Sequence, residues 1–244
     1  MKNNRSPRRR NTARAKTSAS PSSRDGEVLI DDPTSDGEAT HLVSHRNART
    51  LLLACGALAR EIRALMTQNA WTHLDLICLP AILHNHPARI APAVRQALTT
   101  HQEAYDEVFV VYADCGTGGD LAKVCAEFGV EMVPGPHCYS FYEGTEAFDA
   151  LEETTAFYLT DFLARQFDAF VWKPLGLEEH PELRDMYFGN YTKLVYQAQT
   201  DDPALTQKAQ ESADRLGLAF ERRFTGYGDL AKALAGIAPP RDAS

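Results

Sequence analysis

The chain has 244 residues, of which 44% are hydrophobic and 24% are charged, a composition typical of a globular protein with a sizeable core. Its net charge is −8, yet residues 1–24 hold eight of the 25 Lys and Arg residues and none of the 33 Asp and Glu residues. The remaining chain is therefore strongly acidic, which makes nucleic acid an unlikely partner. No apolar run approaches the ~18 residues that a membrane span requires, so a membrane partner is excluded as well.

The cysteines and the N-terminus indicate a reducing compartment. The five cysteines are an odd number, and the Arg8-Arg9-Arg10 cluster has no apolar stretch behind it that would make it an export signal. We therefore predict a cytoplasmic protein, in which cysteines are reduced thiols, metal ligands or reactive groups rather than disulfides.

Residues 1–48 are rich in Ser, Arg, Asn, Asp, Pro and Gly and nearly devoid of large apolar side chains. Such a segment cannot bury enough surface to offset its loss of entropy on ordering, so we predict a disordered basic and polar tail. A basic arm that grips an acidic partner is the alternative, but the composition favours a dispensable solvated tail. The ordered part is predicted to be a single α/β domain over residues 49–240.

The first half of that domain alternates between strand and helix. Apolar runs predict four strands, and helical periodicity or turn residues follow each of them. The predicted strands are Thr50–Ala54, Leu74–Leu79, the Val108 run to Tyr112, and Val130–Val133; the helices are Ala57–Gln68, Ala88–His101 and Leu121–Phe128. This alternation predicts an open, mainly parallel, doubly wound (Rossmann-like) sheet flanked by helices, with every strand-to-helix turn at one edge.

The second half is predicted to be more helical. Helices are expected over residues 147–166, 178–199 and 203–216, with a closing helix over 229–235. One further strand, Leu218–Phe224, is expected to join the same sheet.

Three cysteines and a histidine follow the predicted strands at that common edge. Cys55 ends the first strand, His84 follows the second, Cys115 the third and Cys138 the fourth. Three thiolates and one imidazole form a Cys₃His set, which suits zinc; three cysteines also suit an iron–sulfur cluster. His86 and His137 compete with His84 for the fourth position, whereas Cys78 and Cys125 are expected to be buried core residues.

Cys115 also has a second interpretation. A cysteine before a helix N-terminus loses its proton easily and becomes a nucleophile, so Cys115 is a candidate catalytic residue. The turn formed by Gly116, Thr117, Gly118 and Gly119 offers backbone N–H groups that could bind a carboxylate or phosphate of a cofactor. Glu61, close to the predicted edge, is a candidate acid or base.

These same residues resemble an uncharacterised bacterial and archaeal family, a domain of unknown function. The resemblance covers residues 50–235 and rests on Leu52–Gly56, Leu83–Asn85, Tyr112–Gly118 and His137-Cys138. The family has a recurring pattern of three cysteines and a Leu-His-Asn element. The resemblance matches this pattern to Cys55, Cys115 and Cys138 and to the element that contains His84. Members are often encoded beside corrinoid proteins and methyltransferases of the trimethylamine or glycine-betaine type, which implies a corrinoid protein or methyltransferase as partner and a role in one-carbon metabolism. His137 departs from the pattern, because some relatives carry an acidic residue there.

Three functions remain open on the sequence. The first is an enzyme or methyltransferase accessory with a zinc site of the Cys₃His type that handles a small-molecule ligand. The second is a module that binds and delivers a corrinoid or an iron–sulfur cluster. The third is a metal-free enzyme in which Cys115 is the nucleophile.

Overall fold

The N-terminal half of the chain forms a five-stranded sheet with three parallel strand pairs. The computed structural model describes residues 39–45 and 49–237. Its first sheet has the order β1-β3-β2-β4-β5, in which only the edge strand β1 runs antiparallel to its neighbour. The strands are β1 (Thr40–Val43), β2 (Thr50–Cys55), β3 (Leu74–Leu79), β4 (Glu107–Val111) and β5 (Glu131–Met132). The central strands β2 and β3 are buried along their whole length, as expected for apolar strands covered on both faces.

A second sheet follows in the C-terminal half. Its order is β6-β7-β8, with both strand pairs parallel. The strands are β6 (Ala156–Thr160), β7 (Lys193–Ala198) and β8 (Ala219–Phe224). The predicted α/β class with mostly parallel strands flanked by helices is therefore confirmed, but the strands are divided between two sheets.

The helices flank both sheets. Those of the first half are α1 (Ala59–Gln68), α2 (Ile90–His101), α3 (Asp120–Phe128), α4 (Ser140–Glu143) and α5 (Thr145–Leu151). Those of the second half are α6 (Asp161–Arg165), α7 (Arg184–Phe188), α8 (Pro203–Leu216) and α9 (Gly228–Ala235). Short 3₁₀ turns lie at Gly56–Leu58, Ala81–Asn85, Pro87–Arg89, Gln102–Ala104 and Pro181–Leu183, with a π-helical turn at Asp168–Trp172. Among the described residues, no helix is both long and apolar enough to cross a membrane.

Two of the predicted helices are wrong. Residues 147–166 contain the end of α5, the strand β6 and α6, and residues 178–199 contain α7 and the strand β7. Both strands carry apolar residues at spacings that also fit a helix, and their parallel partners lie far away in sequence, so local periodicity cannot distinguish the two. The predicted strand at Leu218–Phe224 exists as β8 but pairs with β7 in the second sheet.

The prediction of disorder is also wrong at one place. Thr40–Val43 is a strand that pairs with β3. Its buried residue Leu42 packs into the hydrophobic core around the first sheet, here called the first core. The rest of the predicted tail, residues 1–38 and 46–48, lies outside the described residues, as do residues 238–244.

The chain ends by returning to the first half. Leu230 and Leu234 of α9 are buried in the first hydrophobic core, although α9 follows the last strand of the second sheet. Gly228 begins α9 with a φ of +47°, and a Cβ there would lie 2.2 Å from the Tyr142 carbonyl oxygen and 2.3 Å from that of Phe141. Only glycine fits this approach of α9 to α4.

We expect Gly228→Ala to lower the free energy of unfolding. A left-handed backbone alone costs a non-glycine residue about 1–3 kcal/mol, and the loss at this position should be larger. The added methyl meets backbone atoms, which cannot turn away as a side chain can. Chemical denaturation measures the change.

Gly129→Ala is the matched control, because Gly129 has a φ of +66° but nothing within 4 Å of an added Cβ. Equal destabilisation by the two variants would show that the contact between α9 and α4 contributes nothing.

Candidate functional site

A cavity of about 290 Å³ lies where the carboxyl ends of the two sheets meet. The turns after β2, β3 and β4 form one wall, and the end of β6 with the start of α6 forms the other. Its polar and reactive lining residues are Cys55, His84, Tyr112, Cys115, His137, Cys138, Tyr139, Tyr142 and Thr160. Ligand sites in open α/β sheets occur at this edge. All four residues of the predicted metal set therefore border one cavity.

Two of the cysteines are in direct contact. The Cys115 and Cys138 sulfur atoms are 3.0 Å apart, although 23 residues separate them in the sequence. Both are free thiols, and either can donate the hydrogen bond. The thiol of Cys138 is the largest influence that lowers the pKa of Cys115, and the same hydrogen bond, together with burial, raises the pKa of Cys138. Of the two thiols, Cys115 therefore ionises more readily, and Cys138 is placed to donate its S–H to the resulting thiolate.

The backbone holds this pair in place. Cys115 has a φ of +48°, in the left-handed region that few non-glycine residues occupy. Its N–H donates to the Pro136 carbonyl at 2.9 Å, and the Asp114 N–H donates to the Gly135 carbonyl at 3.0 Å. These bonds tie the turn after β4 to the segment that carries Cys138. Residues held in strained backbone conformations cluster at functional sites.

The glycine-rich turn is occupied by a carboxylate of the chain itself. Asp114 accepts hydrogen bonds from the Thr117 hydroxyl at 2.8 Å and from the Gly119 and Gly118 N–H groups at 2.7 and 3.2 Å. These bonds hold the pKa of Asp114 below its ordinary value, with Gly116 also contributing. The geometry therefore favours a structural role for Thr117, Gly118 and Gly119 over the predicted binding of a cofactor anion, whereas Gly116 borders the cavity.

Cys55 and Tyr112 form the buried floor of the cavity. Burial raises the pKa of the Cys55 thiol to about 12, with the nearby Cys115 as the next cause. The Tyr112 hydroxyl is buried and lacks a hydrogen-bond partner of ordinary geometry among the described residues. Burial and then the neighbouring Cys55 raise its pKa. A buried, unpartnered hydroxyl in a cavity wall is available to a ligand.

Two histidines border the same cavity. His84 keeps an exposed edge at the mouth, but the surrounding protein desolvates its ring; this burial, and then the neighbouring His137, lower its pKa. Burial also lowers the pKa of His137, whose ring stacks on Tyr139 with a centroid distance of 4.9 Å. His86, the other predicted alternative, is exposed and lies outside the cavity lining. The lowered pKa values favour the neutral form of both imidazoles, which is the form that can accept a proton.

The predicted metal ligands converge only in part. Over residues 39–45 and 49–237, no group of three or more His, Cys, Asp or Glu side chains is placed to hold a metal ion. Cys115 and Cys138 are in contact, whereas Cys55 and His84 border the cavity from other sides. Cys78 and Cys125 are buried in the first core, as predicted.

Glu61 lies outside the cavity lining. It is buried on α1, where its carboxylate accepts a hydrogen bond from Arg165 of α6 at 3.3 Å. Burial raises its pKa to about 7, and Arg165 opposes that rise. Because it joins the two halves of the molecule and does not reach the cavity, the structure favours a structural role for Glu61 over the predicted catalytic one.

Part of the cavity was missed from the sequence. Thr160, Phe162 and Leu163 close the wall that the second sheet supplies, and Tyr112 contributes its hydroxyl. The first three lie in the segment wrongly predicted as one helix. The signal for Tyr112 was present, since it is a polar aromatic residue at the carboxyl end of an apolar strand.

The fold and cavity define a two-sheet α/β protein with a cysteine-lined cavity. The profile of the family described as "Protein of unknown function (DUF1638)" matches residues 78–234, which is more than half of the chain. The chain belongs to this family. The matched region contains His84, Cys115 and Cys138, and Cys55 precedes it. No curated protein matches.

Two solved structures show weak similarity. Ornithine carbamoyltransferase from Pyrococcus furiosus is 14% identical, with 73% of this chain and 55% of that chain covered and a TM-score of 0.25. The chain thus spans about half the length of that enzyme. A proposed carboxylesterase from Lactobacillus plantarum WCFS1 is 12% identical, with 87% and 86% covered and a TM-score of 0.23. Scores this low do not bear on function.

We expect Glu61→Gln to change how stability depends on pH. A carboxyl group whose pKa is about 7 in the folded protein, but about 4.3 when unfolded, stabilises the fold below pH 4.3 relative to higher pH. The wild-type free energy of unfolding should therefore fall between about pH 4 and pH 7, by roughly 1–3 kcal/mol from this group. The Gln variant should lack this component in denaturation curves across that range.

Glu127→Gln, a change at an exposed carboxylate, is the control and should keep the decline. The same decline in Glu61→Gln would mean that Glu61 titrates normally.

We expect Cys138→Ala to move the pH profile of Cys115 alkylation by iodoacetamide to higher pH. The variant loses the S–H donor that lowers the pKa of Cys115. At pH 7 the rate should fall about tenfold, because a hydrogen bond to a charged group contributes about 1.5–3 kcal/mol.

Cys138→Ser keeps a donor and should restore much of the rate, which peptide mass spectrometry would show. An unchanged profile in Cys138→Ala would exclude the thiol–thiolate hydrogen bond.

Proposed function

We propose that this protein is an enzyme in which the Cys115 thiolate attacks a small, soft electrophile bound in the cavity. The observation that carries the proposal is the 3.0 Å contact between the Cys115 and Cys138 sulfur atoms at the cavity wall. A second thiol at that distance stabilises a thiolate by hydrogen bonding, and a thiolate is the reactive form of cysteine.

Each neighbouring residue has a distinct role in this proposal. Cys138 donates its S–H to the Cys115 thiolate before attack. Burial lowers the pKa of His84 and His137 and so favours their neutral forms, which can accept the proton that Cys115 loses and return it to a leaving group. The Tyr112 hydroxyl, which lacks a hydrogen-bond partner of ordinary geometry among the described residues, donates to a polar atom of the bound ligand.

Zinc binding by Cys55, His84, Cys115 and Cys138 is the second candidate function. It is favoured by one observation: all four side chains border the same cavity, and neutral imidazole is the form that binds zinc. Zinc would supply a Lewis acid and hold the thiolates deprotonated. Cys55 or His84 would have to turn toward the Cys115–Cys138 pair, because the described residues hold no ready group of three ligands. An iron–sulfur cluster bound by the three cysteines would likewise require Cys55 to turn toward the Cys115–Cys138 pair.

The sequence resemblance implies genes for corrinoid proteins and methyltransferases beside those of the family. On that basis we propose a methyl group as the transferred unit and a corrinoid protein or methyltransferase as partner. A thiolate is a good acceptor of a methyl group, which agrees with Cys115 as nucleophile. A corrinoid macrocycle is far larger than a cavity of about 290 Å³, so a corrinoid would approach the mouth and not enter. This size difference argues against a function in which the protein encloses a corrinoid and delivers it to a partner.

One preparation separates the candidates. The full chain is purified anaerobically without a histidine tag, its metal content and visible spectrum are measured, and the rate of Cys115 alkylation is compared before and after a chelator. The proposed nucleophile predicts less than one equivalent of metal, no visible band and rapid alkylation that a chelator leaves unchanged.

About one equivalent of zinc with alkylation only after chelation would overturn the nucleophile in favour of the zinc site. A visible absorption band would instead favour an iron–sulfur cluster or corrinoid. Cys125→Ala, a change in the first core, is the control and should behave as wild type.

A further inference from the structure

We propose that Cys115 and Cys138 act as a dithiol that reduces small, uncharged disulfides and closes an intramolecular disulfide in doing so. This inference rests on the proposed role of Cys115 as nucleophile and extends it by naming the substrate class and a second reactive residue. It needs no group beyond the two thiols and the substrate.

The first argument is the position of the two sulfur atoms. They are 3.0 Å apart, and a disulfide needs about 2.05 Å, so a movement of about 1 Å closes the bond. Any sulfur adduct formed on Cys115 therefore has a second thiol beside it at the moment of formation.

The second argument is that the backbone around the pair is fixed on both sides. The Cys115 N–H donates to the Pro136 carbonyl at 2.9 Å. The Ser140 hydroxyl and N–H both donate to the His137 carbonyl, at 2.7 and 3.1 Å, which holds the turn that carries Cys138. These bonds hold the two segments that carry the thiols next to each other, and this proximity raises the effective concentration of each thiol toward the other.

The chemical steps balance without a further reagent. The Cys115 thiolate attacks one sulfur of a disulfide R–S–S–R, forming a Cys115–S–S–R bond and releasing RS⁻, which takes the proton lost by Cys115. Cys138 then loses its proton and attacks the Cys115 sulfur, which releases a second RS⁻ that takes that proton. The protein loses two hydrogen atoms and is oxidised, and the substrate is reduced to two thiols.

The lining of the cavity defines the substrate. It contains thiols, aromatic rings, neutral imidazoles and aliphatic groups, and no Asp, Glu, Lys or Arg side chain. Three carboxylates adjoin lining residues in the sequence, namely Asp114, Glu143 and Asp161, and each has a partner within the protein. Asp114 is bonded within its own turn, Glu143 pairs with Arg223, and Asp161 accepts hydrogen bonds from Tyr196 and Thr200. With about 290 Å³ of space and a net charge of −8 on the chain, the site suits a small neutral disulfide and opposes an anionic one.

The test uses the reduced full chain under anaerobic conditions with 2-hydroxyethyl disulfide, which is neutral, and dithiodiglycolate, an anionic disulfide of similar size. Wild-type protein should yield a Cys115–Cys138 cross-linked peptide and two equivalents of released thiol. The anionic disulfide should react at least about tenfold more slowly than the neutral one, because its charge is not compensated in the cavity.

Three variants assign the steps. Cys138→Ala should stop at a stable mixed disulfide on Cys115 with one equivalent of thiol released. Cys115→Ala should lose the rapid reaction, with circular dichroism confirming that it is folded, and Cys125→Ala should match wild type. The trapped adduct in Cys138→Ala tests the inference even if Cys115→Ala fails to fold.

The outcomes separate this inference from the function on which it rests. A mixed disulfide that persists on wild-type Cys115, or equal rates for the two disulfides, overturns the dithiol reaction or its substrate class and leaves Cys115 as a nucleophile. Slow reaction of Cys115 with both iodoacetamide and the neutral disulfide overturns both proposals.

Discussion

The parallel pairing of β2 with β3 and with β4 is the constraint on which the cavity depends. Thr50 of β2 lies opposite Leu74 on one side and Glu107 on the other, and the register continues to Cys55 opposite Leu79. Because the strands are parallel and in matched register, their carboxyl ends finish at the same level. The turns that carry Cys55, His84 and Cys115 therefore emerge side by side.

Within that edge, Asp114 has a particular importance. Its carboxylate satisfies the N–H groups of a turn that would otherwise expose them, and this leaves the next residue, Cys115, in a left-handed conformation. The backbone strain at Cys115 is balanced by the hydrogen bonds on both of its sides. An internal anion thus occupies the place where many α/β proteins bind a phosphate, and the turn serves to position the thiol.

The local environment gives the three cavity cysteines different properties. Burial raises the pKa of Cys55, hydrogen bonding to Cys115 raises that of Cys138, and Cys138 in turn lowers that of Cys115. One thiol is therefore poised to ionise, one to donate a hydrogen bond and one to stay protonated. This division follows from two short-range effects, desolvation and a single S–H···S contact, and not from any nearby cation.

Residue order predicted the alternation of strands and helices in the first half and the parallel class of the fold, because buried strands and glycine-rich turns leave strong local patterns. It also predicted the edge that carries Cys55, His84, Cys115 and Cys138. Three-dimensional packing alone placed β6, β7 and β8 in a second sheet, since parallel partners are distant in sequence and their apolar spacing also fits a helix. It likewise decided that Glu61 pairs with Arg165 away from the cavity and that Asp114 fills the glycine turn, because hydrogen bonding depends on atomic positions that residue order does not encode locally. Which two of the three sulfur atoms touch is a matter of side-chain direction at ångström scale, and it was decided by the hydrogen bonds that tie the Cys115 turn to Pro136.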